Sequence, residues 1–299
     1  MKNKAKVIAV VVTYNRKELL CECLDSLLSQ ETNSSLDVFV IDNASTDGTK
    51  EAIASYTSSK KIHYFNTGSN LGGAGGFEYG VREAAKYDCD YIWIMDDDTI
   101  PSSTALEAFI DAEKQYNPIG FLSSKALWTN GSICTMNVQR KNIMTKLKNT
   151  DFSKKIIPVE YATFVSLFVP MKIVKEVGAP IGEFFIWGDD WEFTRRISKK
   201  YRCYVVTNSV VIHKTGTNVG CDISNDQIDR IQRYKYGFRN EAFICKNEGV
   251  KGWVYRYLKI LKNIVKVLVK AKSQKKERIT VIIDGVKEGK NFNPKINRV

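Results

Sequence analysis

The amino-acid sequence predicts an α/β fold with a mostly parallel, doubly wound sheet, followed by a helical C-terminal extension. Over about the first hundred residues, apolar segments of strand length alternate with segments of helical apolar spacing in a βαβαβαβ order. Polar residues follow these strands at the edge where parallel sheets bind ligands. The segment 246–299 is basic and has an amphipathic helical pattern. We therefore predict a main domain at 1–245 and a helical region at 246–299.

Four strands and three helices are predicted in the first part of the chain, because continuous β-branched segments indicate strands buried on both faces. The second helix is expected to be capped by Ser45 or Thr46. The third is expected to follow a loop with glycines at 72, 73, 75 and 76. The predicted strands are KVIAVVVTYNR, LDVFVIDNAS, KIHYFNT and DYIWIM, and the predicted helices are KELLCECLDSLLSQ, STDGTKEAIASY and GGFEYGVREAAKY.

The middle of the chain is less regular. Strands are predicted at GFLSSKAL and VEYATFVSLFVP, and the polar, basic segment 137–155 between them is predicted to be a mobile insertion. EFFIWGDDWEFTRRISKK predicts a turn followed by a helix, and YRCYVVTNSVVIHKTG predicts another strand with its exit.

Composition limits the class of protein. The formal net charge of +12 implies an anionic partner, such as nucleic acid, a membrane surface or a phosphorylated ligand. The 7 cysteines form no CxxC pair and are expected to be mostly reduced core residues of a cytosolic protein. The apolar segment 7–12 is too short for a signal peptide, and no segment has the apolar length of a membrane span. We therefore predict a cytoplasmic location that still permits contact with a membrane.

Asp96, Asp97 and Asp98 stand in a row directly after the fourth predicted strand. A solvated loop or a helix cap would explain one acid, but three adjacent carboxylates repel one another unless positive charge lies nearby. Carboxylate oxygens are preferred ligands of Mg²⁺ and Mn²⁺, which also bind phosphate oxygens, so the cluster is suited to hold a divalent ion against a nucleotide diphosphate. Alternation along the chain puts Asp96 and Asp98 on one side, as the pair that shares the metal, and Asp97 on the other.

Two further segments carry candidate residues. WGDDWEF places Asp189 and Asp190 between Trp187 and Trp191, and a carboxylate near large apolar side chains can serve as a general base, although either acid could instead cap the next helix. His213 follows at a strand exit; a lone histidine is more often structural, but beside a metal motif it is a candidate third ligand. The glycines after the third strand do not indicate a dinucleotide-binding Rossmann protein, whose glycines follow the first strand.

Five segments, in their order and spacing, make the chain resemble family 2 glycosyltransferases with the GT-A nucleotide-diphospho-sugar transferase fold: VVTYNRKELLCECLDSLLSQ, VIDNASTDGT, NLGGAGGF, IMDDDT and WGDDWEFTRRI. The resemblance covers roughly residues 5–245 and makes 1–245 the catalytic domain. NLGGAGGF, the triple aspartate, the later histidine and YGFRNEAF are most similar to the bacterial galactofuranosyltransferase-like and rhamnosyltransferase-like branch, which builds cell-surface polysaccharides.

The resemblance implies a role for each matching residue. At the donor, the implied substrate-binding residues are Thr13, Asn15 and Arg16 at the nucleotide, Asp42 at the pyrimidine or ribose, Asn70 and Gly73 in the donor cleft, and Arg239, with Arg16, at the diphosphate. Asp189 or Trp187 is implied to contact the acceptor sugar, and Asp97 is a further implied substrate-binding residue. The implied metal ligands are Asp96, Asp98 and His213, and the implied catalytic base is Asp190, which only the family pattern favours over Asp189.

The implied reaction is an inverting, metal-dependent sugar transfer that uses Mn²⁺ or Mg²⁺. Such a displacement needs a base on one face of the anomeric carbon and a stabilised leaving group on the other. We expect transfer of galactofuranose from UDP-galactofuranose to a lipid-linked acceptor for a cell-surface polysaccharide such as capsule or O-antigen. The alternatives are a rhamnosyltransferase that uses dTDP-rhamnose, a nucleotidyltransferase, and a non-catalytic membrane-associated scaffold with the same fold.

The segment WVYRYLKILKNIVKVLVKAKSQKKER carries much of the positive charge. On a helix it would place Lys259, Lys262, Lys266 and Lys270 on one face and Leu258, Leu261, Val265 and Leu268 towards another. Such a helix can bind an anionic membrane surface or pack on the domain, and the sequence favours neither. A lipid-linked acceptor suggests a cytoplasmic protein that is peripheral on the inner face of the cell membrane. We expect no nucleic-acid partner, because no nucleic-acid module is recognisable; the metal, the formation of a homo-oligomer and the role of the final segment stay open.

Overall fold

The computed structural model describes residues 4–58 and 61–299. The strands are β1 (Lys6–Thr13), β2 (Ser35–Asp42), β3 (Ile62–Asn66), β4 (Tyr91–Asp96), β5 (Thr99–Pro101), β6 (Leu122–Leu127), β7 (Arg140–Asn142), β8 (Thr145–Lys146), β9 (Ile156–Pro158), β10 (Leu167–Pro170) and β11 (Tyr204–His213). The α-helices are α1 (Lys17–Leu28), α2 (Thr49–Ala52), α3 (Ala54–Thr57), α4 (Gly72–Ala84), α5 (Ala105–Tyr116), α6 (Met171–Val177), α7 (Asp189–Ser198), α8 (Arg233–Lys246), α9 (Gly249–Lys270) and α10 (Lys275–Glu288).

Within the described residues, nine strands form one sheet in the order β3-β2-β1-β4-β10-β6-β11-β5, and β9 pairs with β11 beside this path. The strands β3, β2, β1 and β4 are parallel, as the alternating pattern of the sequence predicts. Beyond β4 the sheet is mixed, because β10 runs antiparallel to both of its neighbours while β11 is parallel to β6. The carboxyl ends of β1, β2 and β4 therefore meet at one edge of the sheet.

Both faces of the sheet are covered. On one face of β1, the side chains of Ile8, Val10 and Val12 share a buried cluster with α4 and α7. On the other face, the side chains of Val7, Ala9 and Val11 share a buried cluster with α1 and α5. Because both sets are buried, the strand reads as a continuous apolar segment instead of an alternating one. The sheet thus has a hydrophobic core on each side, and its polar edge is left for a site.

The predicted cap of the second helix is wrong. The helix α2 begins at Thr49, and Gly48 precedes it with a φ of 83°. The Ser45 hydroxyl instead accepts the N–H of Asn15 at 2.9 Å, and Asp47 Oδ1 accepts the N–H of Thr49 at 3.1 Å. Ser45 therefore links the ends of β1 and β2, and the aspartate serves the helix start.

The predicted glycine loop is also corrected, since α4 already begins at Gly72 and the glycines form its first turns. The reason is packing: a Cβ on Gly76 would lie 2.6 Å from Val12 Cγ1, and one on Gly72 would lie 2.1 Å from the Phe185 carbonyl oxygen. These glycines allow the helix to approach β1 and the loop before α7 closely.

The middle section differs from its prediction in two places. Of VEYATFVSLFVP only Leu167–Pro170 forms a strand, inserted antiparallel between β4 and β6. The segment 137–155 is packed against the domain, because Ile143 and Leu147 are buried and Arg140 N–H donates to the carbonyl of Tyr161 at 3.0 Å. The prediction of a mobile insertion was therefore wrong, because it considered the polar composition of the segment and not its few apolar residues.

The C-terminal helices pack on α8. Side chains of α8, α9 and α10, including Phe238, Val267 and Ile282, share a buried cluster. The chain then returns to the main domain, where the N–H of Ala179 donates to the carbonyl of Asn297 at 2.9 Å. The division at residue 245 stays a prediction. No helix among the described residues has the length and apolarity needed to cross a membrane.

Candidate active site

The end of β4 and the turn after it bring acidic side chains next to a histidine. The strand β5 pairs with β11 in a register that aligns Thr99 with His213. As a result, His213 Nε2 lies 2.9 Å from Asp98 Oδ1. Asp96, Asp98 and His213 offer ligand atoms that all lie within 4.8 Å of one another, close enough to share one ion.

The third carboxylate of the run, Asp97, points away from this group and toward β1. Its Oδ2 accepts the hydroxyl hydrogen of Thr13 at 2.7 Å, and its Oδ1 lies 3.2 Å from the guanidinium of Arg16. Arg16 also donates to Asp98 Oδ2 at 2.9 Å, while its side chain stays half exposed. The structure therefore groups Thr13, Arg16 and Asp97, and it leaves one side of Arg16 open to an anionic ligand.

Asn137 orients His213 and was not found by sequence reasoning. His213 Nδ1 lies 2.8 Å from Asn137 Oδ1, and the amide of Asn137 donates to Thr163 Oγ1 at 3.1 Å, which fixes the amide so that its oxygen faces the ring. Cys134 Sγ also donates to Asn137 Oδ1 at 3.0 Å. A proton on Nδ1 leaves Nε2 to face the acids, as in ligating histidines. A single asparagine in a polar segment gives no sequence signal for this role.

The loop before α7 is held in an unusual backbone conformation. Phe185, Trp187 and Gly188 have φ values of 64°, 66° and 92°, a region that non-glycine residues rarely adopt. The fully buried side chain of Asn240 donates to the carbonyl oxygens of Phe184, Ile186 and Trp187 at 3.0, 3.1 and 2.8 Å. This asparagine lies in the YGFRNEAF segment, but only the tertiary structure shows that it fixes the loop that presents the two acids.

The acids of this loop begin α7. Asp189 is buried, and Asp190 follows it in the first helical turn with its Oδ1 accepting the N–H of Trp191 at 2.7 Å. The residue before the helix is Gly188, so neither acid is the residue immediately preceding the helix.

The other predicted nucleotide residues lie at the same edge of the sheet but already have partners. Asp42 is buried; its Oδ1 accepts the N–H of Ser45 at 2.8 Å and its Oδ2 accepts the hydroxyl of Tyr64 at 2.6 Å. Asn15 and Asn70 accept backbone N–H groups of Thr46 and Gly72 at 2.7 and 2.9 Å. Gly73 differs, because a Cβ there would meet no atom within 4 Å, so its backbone faces open space.

Trp187 and Arg239 are also brought to this region. The ring of Trp187 packs edge-on against Tyr234 with centroids 4.9 Å apart. Arg239 donates to the carbonyl oxygens of Glu183 and Phe184 at 2.8 and 3.1 Å, and its guanidinium lies 4.1 Å from the ring centre of Phe292. Arg239 thus links the loop before α7 to the C-terminal segment.

Comparison with known proteins agrees with this arrangement. The model of glycosyl transferase family 2 matches residues 8–166, which is more than half of the chain. The chain belongs to glycosyltransferase family 2. Galactofuranosyltransferase GlfT1 of Mycolicibacterium smegmatis is 25% identical over 259 residues, covering 82% of this chain and 84% of that protein. Abequosyltransferase RfbV of Salmonella typhimurium is 38% identical over 109 residues, covering 34% of this chain and 32% of that protein.

Solved structures show the same fold. The mannosyltransferase PcManGT of Pyrobaculum calidifontis, solved in complex with GDP-Man and Mn²⁺, superposes with a TM-score of 0.62 at 16% identity, covering 97% of this chain and 88% of that chain. The GT-A fold predicted from the sequence is confirmed, and so is the assignment of the chain as a glycosyltransferase.

The acids of the transferase have shifted pKa values. Burial and the neighbouring Asp98 raise the pKa of Asp96 to about 7, and burial raises that of Asp97 to about 6 against the opposing effects of Arg16 and Thr13. Burial would also raise the pKa of Asp98, but the contacts with His213 and Arg16 lower it below its ordinary value. Positive charge in this cluster is therefore strongly favoured.

The cluster fits a divalent cation. Asp98 Oδ1 is buried and makes no well-aligned hydrogen bond within the described part of the chain, although His213 Nε2 lies 2.9 Å away. A cation held by Asp96, Asp98 and His213 would satisfy it. Burial alone would lower the pKa of His213, but the adjacent carboxylates raise it to about 10, which shows that their field favours a positive charge at the ring.

The loop acids face the same electrostatic environment. Burial raises the pKa of Asp189 to about 6. Burial, together with the charges of Asp189 and Asp96, raises the pKa of Asp190 well above its ordinary value. The contribution of Asp96 shows that Asp190 lies within electrostatic reach of the cluster at the end of β4. Strongly raised carboxyl pKa values of this kind are typical of groups that exchange protons in catalysis.

Proposed function

We propose that the chain is an inverting, metal-dependent glycosyltransferase that moves galactofuranose from UDP-galactofuranose to a lipid-linked acceptor. The observation that supports the metal-dependent mechanism best is the grouping of Asp96, Asp98 and His213, whose ligand atoms lie within 4.8 Å of one another. The charge of Asp96 also raises the pKa of Asp190, which supports a proton acceptor near this group. The 25% identity with a galactofuranosyltransferase along most of both chains supports the choice of sugar.

In this proposal Asp190 takes the proton of the acceptor hydroxyl. The hydroxyl oxygen forms a bond to the anomeric carbon as the bond between that carbon and the diphosphate breaks, so the configuration inverts. Arg16 and the open backbone at Gly73 would lie at the donor side; Asp97, which accepts the hydroxyl hydrogen of Thr13, holds Arg16 in place. Asp189 and Trp187 would contact the acceptor sugar. Asp42, Asn15 and Asn70 would contact the nucleotide and Arg239 the diphosphate; these side chains already have hydrogen-bond partners within the protein, which they would share with the ligand or exchange for it.

Asp96, Asp98 and His213 would hold Mn²⁺ or Mg²⁺, which when bound would neutralise charge on the departing diphosphate. The Pyrobaculum mannosyltransferase, with its nucleotide sugar and Mn²⁺, supports a nucleotide-sugar donor and a divalent metal. A lipid-linked acceptor places the reaction at the inner face of the cell membrane, with the domain 1–245 as the catalytic unit. A surface polysaccharide such as capsule or O-antigen would be the product.

The alternative donor is dTDP-rhamnose. The partial match to an abequosyltransferase supports keeping it, because that relative is named for a sugar other than galactofuranose. The non-catalytic scaffold ranks lower, since the metal cluster and the loop acids are present together.

The test is release of nucleoside diphosphate from UDP-galactofuranose, UDP-hexoses and dTDP-rhamnose with Mn²⁺ or Mg²⁺ and a lipid-linked glycan extract. We expect release with one donor, lost on removal of the metal and reduced about 10²–10⁴-fold in Asp190→Asn. Asp111→Asn, an exposed residue of α5, is the matched control and should retain full activity.

Other outcomes contradict the proposal in distinct ways. Release that Asp190→Asn leaves unchanged would mean that another group is the base. Release of pyrophosphate would indicate a nucleotidyltransferase. If the assay shows no turnover and calorimetry shows no donor binding, the non-catalytic scaffold is the alternative that remains.

A further inference from the structure

The outward face of α9 is a continuous apolar surface. Half of the exposed large apolar side chains in the described part of the chain lie on this one helix, with exposures that reach 80% at Val250 and 74% at Val269. A long, aligned patch of this kind marks an interaction surface, unlike single exposed apolar residues. We call it the α9 ridge; it consists of Val250, Trp253, Val254, Tyr257, Leu258, Leu261, Val265, Leu268 and Val269.

The opposite face of α9 is already in use. Gly252, Arg256 and Val267 are buried against the rest of the protein. Two of the lysines that the sequence places on a basic face are engaged there as well: Lys259 pairs with Glu241 of α8, and Lys266 pairs with Asp222 at 2.8 Å. The helix therefore both packs on the domain and exposes apolar residues, and the exposed face is the apolar one.

Free positive charge remains beside the ridge. The helix has no acidic residue between 249 and 270. Lys251, Lys262 and Lys270 are exposed and make no ion pair with any described residue. At 100° per residue, Lys251 and Lys262 fall along one edge of the ridge. One edge of the ridge is therefore lined by cations, and α9 itself contributes no anion to it.

The β7–β8 hairpin extends this surface. Ile143 packs with Tyr255 of α9 in a buried cluster, and the next residue, Met144, is 52% exposed. Lys146 in the same hairpin has its pKa lowered by burial and by the positive charges of Arg140 and Lys259. Apolar and basic groups thus continue from α9 onto the hairpin beside it.

We propose that the α9 ridge docks on an anionic membrane surface, with the helix lying in the plane of the interface. Apolar side chains would enter the boundary between headgroups and acyl chains, and the lysines along the edge would contact anionic headgroups. Trp253 and Tyr257, which stack with ring centres 6.0 Å apart, are residue types that favour this boundary. The inference deepens the proposed function, since it rests on an acceptor that is anchored in lipid.

The charge pattern favours lipid over a second copy of the chain. A two-fold contact through the ridge would place the same surface of both copies face to face. The unpaired lysines of both copies would then be brought together without a counter-charge, which is unfavourable. An anionic bilayer supplies that counter-charge.

Flotation of the full chain with vesicles tests this. Wild type is expected to float with phosphatidylglycerol-containing vesicles and to bind pure phosphatidylcholine vesicles at least about tenfold more weakly. Leu261→Gln combined with Leu268→Gln removes two exposed leucines, and binding should fall about tenfold or more. The matched control is Leu28→Gln with Ile228→Gln, two exposed apolar residues outside the ridge, which should bind like wild type.

A second pair of variants tests the charge. Lys251→Gln with Lys262→Gln should weaken binding to anionic vesicles about tenfold, while Lys50→Gln with Lys172→Gln, also exposed, should not. Size-exclusion chromatography with light scattering is run on each protein to check the fold and the oligomeric state.

Three results would overturn the proposal. These are a wild type that does not bind anionic vesicles, a ridge variant that binds them equally well, or a wild-type dimer that the ridge variant dissociates while neither binds lipid. The last result would assign the ridge to a second copy. Vesicle binding needs no turnover, so failure of docking leaves nucleoside-diphosphate release intact, and failure of the proposed function leaves docking intact.

Discussion

The carboxyl group of Asp190 is partly buried near the carboxylates of Asp189 and Asp96, and its pKa is raised well above the ordinary value. A group with these properties suits a general base, because a catalytic base works best when its pKa lies near the pH at which the enzyme operates. The same burial makes the ionised form costly for the fold. At the scale of single residues, the requirements of catalysis and of stability are therefore opposed at this position.

This opposition predicts how pH acts on stability. Since the folded-state pKa of Asp190 is raised, its stabilising contribution is present below the ordinary carboxyl pKa and is lost as the pH rises through the folded-state pKa. Asp190→Asn cannot ionise, so it should unfold at a higher temperature than wild type at pH 8, and the difference should be smaller at pH 5. Each kcal/mol relieved corresponds to about 2–4 °C in Tm.

Thermal unfolding in EDTA at both pH values checks this expectation, with Asp111→Asn as the control that should show no such difference. A Tm of Asp190→Asn below that of wild type at pH 8 would show that the ionised carboxylate stabilises the fold.

Asn137 should control the affinity for metal without touching it. Its oxygen holds the Nδ1 side of His213, so Asn137→Ala frees the ring to rotate. Loss of such an outer partner typically lowers metal affinity 10–100-fold. Titration of Mn²⁺ by electron paramagnetic resonance, with a nucleoside diphosphate present, should show this loss. Asn208→Ala, exposed on the same strand as His213, should bind like wild type; equal binding by both variants would remove Asn137 from the metal site.

At the scale of elements, two glycines of α4 differ in what surrounds them. Gly76 presses the helix on β1, and a Cβ there would lie 2.6 Å from Val12 Cγ1, whereas a Cβ on Gly73 would meet nothing within 4 Å. The first position is needed for packing inside the protein. The second leaves room for a ligand at the start of the helix, where backbone N–H groups favour anions.

We expect opposite effects of the same change at these positions. Gly76→Ala should lower the free energy of unfolding by about 1–3 kcal/mol through overpacking. Gly73→Ala should leave it unchanged or raise it by up to about 1 kcal/mol, because alanine favours the helix. Urea unfolding measures both. Calorimetry with the donor then tests the predicted cleft: weaker binding by the stable Gly73→Ala variant supports it, and unchanged binding contradicts it.

At the scale of the whole molecule, the C-terminal segment ties the helical region back to the catalytic part. Glu183 accepts the N–H of Lys295 at 3.0 Å, and the ring of Phe292 lies 5.6 Å from that of Phe184 and under the guanidinium of Arg239. Glu183 and Phe184 belong to the loop that precedes Asp190, so the C-terminal segment contacts this loop directly. The final segment, to which the sequence assigned no role, thus supports the loop before α7.

Phe292→Ala should therefore lower the free energy of unfolding by about 1–3 kcal/mol. The transfer rate should also fall, because the loop before α7 loses a supporting contact. Asn293→Ala, exposed beside it, is the control. Denaturant unfolding and nucleoside-diphosphate release measure the two effects; loss of stability with an unchanged rate would show that the tail holds the fold but not the loop.

The sequence by itself determined the order of strands and helices through α4, the family and the positions of the acids after β4 and before α7. These features depend on local patterns, since a buried parallel strand needs a continuous apolar segment and ligand-binding residues follow its end. The same locality explains why the sequence could name His213 only as a candidate third ligand of Asp96 and Asp98, because His213 is distant in sequence.

Only the tertiary structure decided where β10 inserts, which residue orients His213, how Asn240 holds the loop before α7, and which face of α9 stays exposed. Each of these depends on contacts between segments far apart in the chain: β5 with β11, Asn137 with His213, α8 with the loop and with α9. A helical pattern shows that a helix has two faces, but burial of one of them depends on what the rest of the molecule places beside it.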